Sequence, residues 1–315
     1  MSHQNTPIDY RAIEGKGNAS YVGIWCARMD VPHTARAARG RGRRVRVVPG
    51  AAALSQPDVP SARAPLTTPR VLPGAEPFRF DAGPRGALLL HGFTGAPASM
   101  RPFGEWLASQ GVSSVGPRLP GHGTTWEDLE TATWRQWERE ALTALDDLSS
   151  RCDRVIVVGQ SMGGALALHV AATNQERLRG VVAINPIVRR PDLLFAPVAR
   201  LVMRSAKGIG NDIKKPGQDE LVYTRIPLRA VNQMGKLLRA ADRGLPTLTL
   251  PLLVFNAVED HTVKPANSQR VIARAASTKK DLLLLSNSYH VATLDYDAPY
   301  IFDQTLRFID EVCGP

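Results

Sequence analysis

The chain of 315 residues is 43% hydrophobic, which is enough apolar content to bury a full core as one α/β domain, alone or with an insertion. Its net charge of +10 suggests a polyanion partner, but residues 1–68 carry ten Lys and Arg against four Asp and Glu, whereas the other 247 residues carry 29 against 25. Because the excess lies mainly in the amino-terminal tail, the body of the chain gives no reason to expect a nucleic-acid partner.

Cysteine usage and hydropathy indicate where the protein resides. Cys26, Cys152 and Cys313 are far apart and odd in number, and none belongs to a CxxC pair. This distribution is typical of a reducing compartment and disfavours a disulfide framework or a zinc cluster. No apolar run approaches the ~18 residues that a membrane span requires, and the start lacks the apolar segment of a secretory signal. The sequence therefore predicts a soluble, cytoplasmic protein.

Residues 1–68 show no pattern typical of a fold. The stretch 35–53 is rich in Arg, Ala and Gly, and 56–69 reads as a Pro/Ser linker. We interpret residues 1–68 as a disordered basic and Pro-rich extension, or as a start placed too far upstream. An organellar or membrane-tethering address is the alternative, and only the arginines support it.

From about Pro69 the chain alternates between apolar runs and amphipathic stretches. The strands are expected in 86–93, at the start of 113–123 and of 154–173, and in 178–188, 251–263 and 279–290. The helices are expected in 97–111, 126–150, the second half of 154–173, 265–276 and 300–312. This alternation predicts an α/β fold with a doubly wound, mainly parallel sheet in residues 69–315, with its site at the carboxyl ends of the strands.

Residues 189–248 interrupt the alternation. They contain no strand pattern but show helical spacing, first at Phe195, Val198, Leu201 and Val202 and later at Leu228, Val231, Met234 and Leu238. An insertion of this length between two sheet strands predicts a helical cap over the strand ends. Its apolar face suggests transient contact with membrane surfaces.

The motif GQSMGG at 159–164 fits the pattern G-x-S-x-G and lies between an apolar strand and a helix rich in Ala and Leu. This context is the one that a nucleophile elbow requires. Gly159 and Gly163 flank Ser161 because the tight turn leaves no room for side chains. Ser161 would lie at a helix amino terminus, where N–H groups and the helix dipole favour a developing anion.

A serine nucleophile needs a base, and the base needs an orienting acid, in the chain order Ser, Asp or Glu, His. The histidines after Ser161 are His169, His261 and His290. His169 falls within the helix after the elbow, where a packing role is expected. Only His290 follows a strand and is preceded by an acid after a different strand, so it is the predicted base.

The orienting acid is Glu259 or Asp260, which follow the strand in 251–263. We favour Asp260, since the two side chains point to different sides and DHTVKP begins the loop. Asp295 and Asp297 are nearer to His290 in sequence but lie near the next helix start, so helix capping is expected of them.

A tetrahedral oxyanion needs two hydrogen-bond donors. One is the N–H of Met162, directly after the nucleophile, and the other is expected in the loop HGFTG at 91–95, from the N–H of Phe93. His91 and His122 are expected to tie down their loops rather than to react.

Six blocks of the chain together resemble the α/β-hydrolase fold, and within it the small bacterial monoacylglycerol lipases and related carboxylesterases: VLPGAEPF, HGFTGAPASMRPF, PRLPGHGT, GQSMGG, EDHTVKP and NSYHVATLDYD. The resemblance covers roughly residues 71–312. It implies the same triad of Ser161, Asp260 and His290, and the same oxyanion donors. The segment 209–223 is similar to the lipases' cap segment, which implies that Glu220 and the carbonyl of Ile209 bind the glycerol hydroxyls.

The expected activity is hydrolysis of monoacylglycerols or similar medium- and long-chain esters through an acyl-enzyme, with a small lipid ester as partner and without a metal or organic cofactor. The alternatives on the same fold are a short-chain carboxylesterase, an acyltransferase or a perhydrolase. A non-catalytic ligand-binding protein is disfavoured by the intact triad. The sequence leaves acyl-chain length and oligomeric state open.

Overall fold

A computed structural model describes residues 69–191, 203–208 and 210–314. The chain divides into two units, Met1–Leu66 and Thr67–Pro315, and every described residue belongs to the second. The expected disordered extension at 1–68 lies outside the described residues and stays a prediction.

The described residues contain one large sheet and a small two-stranded one. The strands are β1 (Phe78–Phe80), β2 (Arg85–Leu90), β3 (Val112–Gly116), β4 (Arg154–Gln160), β5 (Gly180–Ile184), β6 (Ser205–Lys207), β7 (Arg225–Pro227), β8 (Leu252–Ala257) and β9 (Lys280–Leu285). The large sheet has the order β1-β3-β2-β4-β5-β8-β9, and all of its pairs are parallel except β1 with β3. This mainly parallel sheet confirms the predicted fold class.

The described residues also contain α-helices. They are α1 (Arg101–Ser109), α2 (Trp126–Thr131), α3 (Trp134–Ser149), α4 (Met162–Thr173), α5 (Leu228–Gly244), α6 (Ala266–Arg274) and α7 (Ala298–Cys313). The rings of Phe103 on α1 and Phe302 on α7 stack with centroids 4.3 Å apart. Strands β4 and β5 are buried along almost their whole length, which explains why they read as continuous apolar runs rather than as alternating patterns. None of the helices in the described ranges is long and apolar enough to cross a bilayer.

Strand β1 and the break between α2 and α3 were not predicted. The short β1 is an antiparallel edge strand with one buried residue, Phe78, so its pattern is weak. The expected single helix at 126–150 ends at Thr131 and restarts at Trp134. Thr133 begins the second helix: Gln136 Oε1 accepts from its N–H at 2.8 Å and from its hydroxyl at 2.9 Å. This local pairing stabilises a new helix start in the middle of the amphipathic stretch.

Within the predicted insertion 189–248, the expectation of no strand is wrong. Strands β6 and β7 form an antiparallel ribbon, and each is only three residues long, too short to give a sequence pattern. The predicted helix at the end of the insertion is α5, and it packs on α4, the helix that follows Ser161. The helical spacing predicted at Phe195, Val198, Leu201 and Val202 lies outside the described residues.

Gln136→Ala is expected to lower the free energy of unfolding by about 1 kcal/mol, because the N–H and hydroxyl of Thr133 lose their acceptor at the start of α3. Arg139→Ala, at an exposed position of the same helix, is the matched control and should stay within about 0.5 kcal/mol. Urea unfolding measures both values. Equal stabilities of the two variants would contradict this account of the helix break.

Candidate active site

Ser161 lies on a strained turn between β4 and α4. Its φ is 58° and its ψ is −119°, a backbone conformation that non-glycine residues rarely adopt. A Cβ on Gly159 would overlap the backbone of Gly163, and a Cβ on Gly163 would overlap the carbonyl oxygens of Leu90 and His91. The two glycines therefore let α4 turn back closely over β4, and the turn presents Ser161 at the carboxyl end of the sheet.

His290 hydrogen-bonds both Ser161 and Asp260. Its Nε2 is 2.8 Å from Ser161 Oγ, and its Nδ1 is 2.7 Å from Asp260 Oδ2. A carboxylate only accepts, so Nδ1 carries the proton and Nε2 is the acceptor for the serine hydroxyl. The three residues come from the carboxyl ends of β4, β8 and β9, and the imidazole and the carboxylate are both buried. The structure thus brings the three predicted residues into one chain of hydrogen bonds.

Asp260 is itself held in place. Its second oxygen, Oδ1, accepts from the N–H groups of Thr262 at 2.8 Å and Val263 at 2.7 Å. These two bonds leave Oδ2 directed at the imidazole. Glu259, the alternative acid, is half exposed and its carboxylate contacts Lys214 at 3.2 Å.

The protonation of His290 reflects opposing effects. Burial alone lowers the pKa of the imidazole, but the charge and hydrogen bond of Asp260 outweigh burial, with smaller contributions from Asp212 and Glu220. The pKa of His290 is therefore raised above its ordinary value of 6.5. A raised pKa makes the neutral imidazole a stronger proton acceptor.

Asp295 and Asp297 do not contact His290, as expected, but the prediction that they cap a helix is wrong. Asp297 precedes α7 without a side-chain capping bond and instead accepts from the N–H of Asn287 at 2.8 Å. The carboxylate of Asp295 accepts from the backbone N–H groups of residues outside that helix. Both carboxylates organise the loop between β9 and α7, residues 286–297, which we call the histidine loop. The turns of that loop leave N–H groups without helical or sheet partners.

Two buried polar residues that support the site were missed in the sequence. Asn185 follows β5 with a φ of 44°; its amide donates to the carbonyl of His290 at 2.8 Å and accepts from the N–H of Ala257 at 2.7 Å. Gln160, directly before Ser161, accepts from the hydroxyl of Thr293 at 2.9 Å. Each joins loops that are distant in sequence. The only available signal was a polar residue at the end of an apolar strand.

The loop 91–95 after β2 carries the predicted oxyanion donor Phe93. Its neighbour Gly92 lies directly against Ser161, since a Cβ on Gly92 would be 3.5 Å from the Cβ of Ser161. Met162 is the first residue of α4, where N–H groups have no helical acceptor. Among the described residues, neither the Phe93 N–H nor the Met162 N–H donates a hydrogen bond. Both groups are therefore available to a ligand.

His91 fixes this loop, as expected. Its Nδ1 pairs with the carbonyl of Gly92 at 2.9 Å, and its Nε2 accepts from the N–H of Leu119 at 3.2 Å. Burial lowers the pKa of His91 to about 4. The ring of His122 packs 5.0 Å from that of His91, and burial holds the pKa of His122 well below its usual range. Both imidazoles are consequently neutral at physiological pH.

The other two histidines of the described residues have partners away from Ser161. His169 is buried on α4 and lies 2.7 Å from Glu138, which agrees with the expected packing role. His261 pairs through Nδ1 with Asp212 at 2.8 Å and is more than half exposed. Neither imidazole hydrogen-bonds the serine.

Glu220 is buried close to the loop 91–95, with its Oε1 against Gly95. Burial raises the pKa of the carboxyl to about 7, against an opposing effect of the nearby His290. No hydrogen bond joins this carboxyl to another of the described side chains or backbone groups. Ile209, the other expected glycerol contact, lies outside the described residues.

An NMR titration of the imidazoles should give different pKa values for the two buried histidines His290 and His91. We expect His290 to titrate above pH 6.5 and His91 to stay neutral down to about pH 4. Asp260→Asn should lower the pKa of His290, because it removes the charge that outweighs burial, and should leave His91 unchanged. An unaltered His290 titration in Asp260→Asn would contradict the assignment of Asp260 as its partner.

Comparison with known proteins identifies the family. Residues 84–297 match the family described as serine aminopeptidase, S33. The chain is 40% identical over 245 residues to the thermostable monoacylglycerol lipase of Bacillus sp. (strain H-257), and the match covers 78% of this chain and 98% of that relative. A carboxylesterase of Bacillus subtilis (strain 168) is 22% identical over 75% of this chain and 97% of its own length.

Solved structures agree. A structure from work on LipS and LipT, two metagenome-derived lipolytic enzymes said to increase the diversity of known lipase and esterase families, shares 39% identity at a TM-score of 0.75, and the match covers 77% of this chain and all of that one. A monoacylglycerol lipase of Paleococcus ferrophilus, at 17% identity, 76% coverage of this chain, 98% of its own and a TM-score of 0.64, shows the same fold. Since the family match spans more than half of the chain, this protein belongs to the serine aminopeptidase S33 family and is a serine hydrolase with the α/β-hydrolase fold.

Proposed function

We propose that this protein cleaves monoacylglycerols, or similar medium- and long-chain carboxylic esters, through an acyl-enzyme formed on Ser161. The observation that carries the proposal is the chain of hydrogen bonds from Ser161 through His290 to Asp260. The thermostable monoacylglycerol lipase of Bacillus, at 40% identity over nearly its full length, supports the substrate class.

In the proposed reaction, Ser161 Oγ attacks the ester carbonyl while its proton passes to His290 Nε2. The imidazolium is stabilised by Asp260 and returns the proton to the leaving alcohol. Water then attacks the acyl-serine, with His290 again as base, and the fatty acid is released. Nothing in this cycle requires a metal or an organic cofactor.

The tetrahedral intermediate of each step carries an oxyanion. We assign its stabilisation to the N–H groups of Phe93 and Met162, which have no acceptor in the described residues. The position of Met162 at the start of α4 adds the favourable field of the helix amino terminus.

The glycerol end of the substrate is assigned to Glu220 and the carbonyl of Ile209. A buried carboxylate is stabilised by hydrogen-bond donors, and the two hydroxyls of a glycerol would supply two of them. A simple alkyl ester would supply none. This difference would favour glyceryl esters.

The surroundings of the site complete the proposal. Residues 189–248 would cover the strand ends as a cap and contribute to the acyl-binding side. We assign the protein to the cytoplasm, with transient contact of the cap at membrane surfaces, where lipid esters reside.

Ser161→Ala is expected to abolish the burst of p-nitrophenol from a p-nitrophenyl ester and to lower kcat by about 10³-fold or more, because no acyl-enzyme forms. Stopped-flow absorbance measures both. Ser109→Ala, at the exposed end of α1, is the control and should behave as the unchanged protein. Retention of the burst in Ser161→Ala would disprove the acyl-enzyme, and absence of any ester hydrolysis in the unchanged protein would favour a ligand-binding role.

Glu220→Gln is expected to raise KM for monoacylglycerol about tenfold and to leave p-nitrophenyl butyrate unaffected, since only the glyceryl ester presents two hydroxyls. In the unchanged protein, kcat/KM for monoacylglycerol divided by kcat/KM for p-nitrophenyl butyrate should rise with pH through about 7, as Glu220 ionises. The titration of His290 cancels in that ratio.

Gln218→Ala, at an exposed neighbouring position, is the matched control for Glu220→Gln. A panel of mono-, di- and triacylglycerols of different chain length completes the measurement. Equal cleavage of butyrate and monoacylglycerol, with no change in Glu220→Gln, would rule out glyceryl selectivity and favour a general carboxylesterase.

A further inference from the structure

Asp295 is a buried carboxylate that joins two separate segments. Its Oδ2 accepts from the N–H groups of Lys214 at 2.7 Å and Tyr289 at 2.9 Å, and its Oδ1 accepts from those of Lys215 at 2.9 Å and Tyr296 at 2.8 Å. Asp295 is only 2% exposed to solvent, so these four hydrogen bonds replace the hydration of its carboxylate. One carboxylate therefore fixes the residue before His290 and a part of the predicted cap to the same point.

Asp212, close to Lys214 in sequence, makes a second set of hydrogen bonds, to the loops that carry Asp260 and His290. Its carboxylate lies 2.8 Å from His261 Nδ1 and accepts from the N–H of His261 at 3.1 Å. Its backbone carbonyl accepts from the N–H of Val291 at 3.0 Å. His261 follows Asp260 and Val291 follows His290, so Asp212 contacts the immediate neighbours of both residues that act on Ser161.

We propose that residues 211–215, the strap, set the alignment of His290 with Asp260 and Ser161, and that Asp295 is the positioning residue that holds the strap to the histidine loop. This inference rests on the proposed function. It assigns to a part of the cap insertion a role in turnover that is separate from substrate contact.

The strap also reaches the proposed glycerol subsite. Asn211 Oδ1 accepts from the backbone N–H of Glu220 at 3.0 Å. A glyceryl group held by Glu220 is thus connected through Asn211 and the strap to both loops around Ser161. Small displacements in such a network matter, because a misplacement of about 1 Å at a reacting group costs about 10²-fold in rate.

The test is Asp295→Asn with Asp297→Asn as its matched control. The asparagine keeps the shape of Asp295, but its NH₂ group faces two of the four N–H donors and cannot accept from them. Asp297 lies in the same loop and accepts from Asn287, without a bond to the strap.

With p-nitrophenyl acetate, which has no glycerol, kcat per active site should fall about tenfold in Asp295→Asn while KM stays within about twofold. Active sites are counted by titration with a fluorophosphonate, so that loss of folded protein does not enter the comparison. Asp297→Asn should keep kcat within about twofold of the unchanged protein.

Hydrogen exchange of the full chain, followed by mass spectrometry, supplies a readout that does not depend on activity. Peptides that cover 211–215 and 286–291 should both exchange faster in Asp295→Asn. In Asp297→Asn, which changes only the acceptor of the Asn287 N–H, the peptide that covers 211–215 should exchange as in the unchanged protein. Equal kcat per titrated site in the two variants, or faster exchange in only one of the two peptides of Asp295→Asn, would overturn the proposal.

If Asp295→Asn gives no folded protein, Asp212→Ala makes the same test from the strap, since it removes the bonds to His261. A fall of about threefold or more in kcat for p-nitrophenyl acetate is expected, and an unchanged kcat would overturn the proposal. If the unchanged protein is active and the variants have the same kcat as it has, only the proposed role of the strap is refuted. A protein without Ser161-dependent hydrolysis refutes the proposed function instead.

Discussion

The strained turn at Ser161 is the constraint on which the site depends. A φ of 58° at a non-glycine residue is unfavourable by itself and persists only because the surroundings hold it. The N–H of Ser161 donates to the carbonyl of Ile184 at 2.9 Å, and its carbonyl accepts from Ile187 at 3.3 Å. These bonds to the end of β5 and the segment after it fix the turn from one side, while the close approach of Gly163 to the end of β2 and the loop after it fixes the turn from the other.

Buried polar side chains extend this constraint to the loops that carry the other groups. Asn185 links the histidine loop to β8. Gln160, the residue before Ser161, accepts a hydrogen bond from Thr293. Such networks are rigid when each polar group is satisfied, because an unmade bond in a buried site is costly. The imidazole is therefore positioned by its loop as well as by Asp260, and Asp295 continues the same network into the insertion.

Charge in the site follows from the same burial. His91 and His122 are neutral because burial disfavours their charged forms. His290 differs because a carboxylate faces it. Burial acts in the opposite direction on Glu220: it raises the pKa of the carboxyl to about 7, so the charge of this carboxyl depends on pH in the physiological range.

The sequence by itself determined the alternation of strands and helices and the elbow, because each depends on residues that are close in the chain. The predicted order of Ser161, Asp260 and His290 rested instead on their positions after three different strands. It also indicated Asp260 over the nearer Asp295 and Asp297, since the ends of parallel strands meet at one edge of the sheet. Only the tertiary structure decided what Asn185, Gln160 and Asp295 do. Their hydrogen bonds join segments that are distant in sequence, and a lone polar residue gives no pattern from which its partner can be predicted.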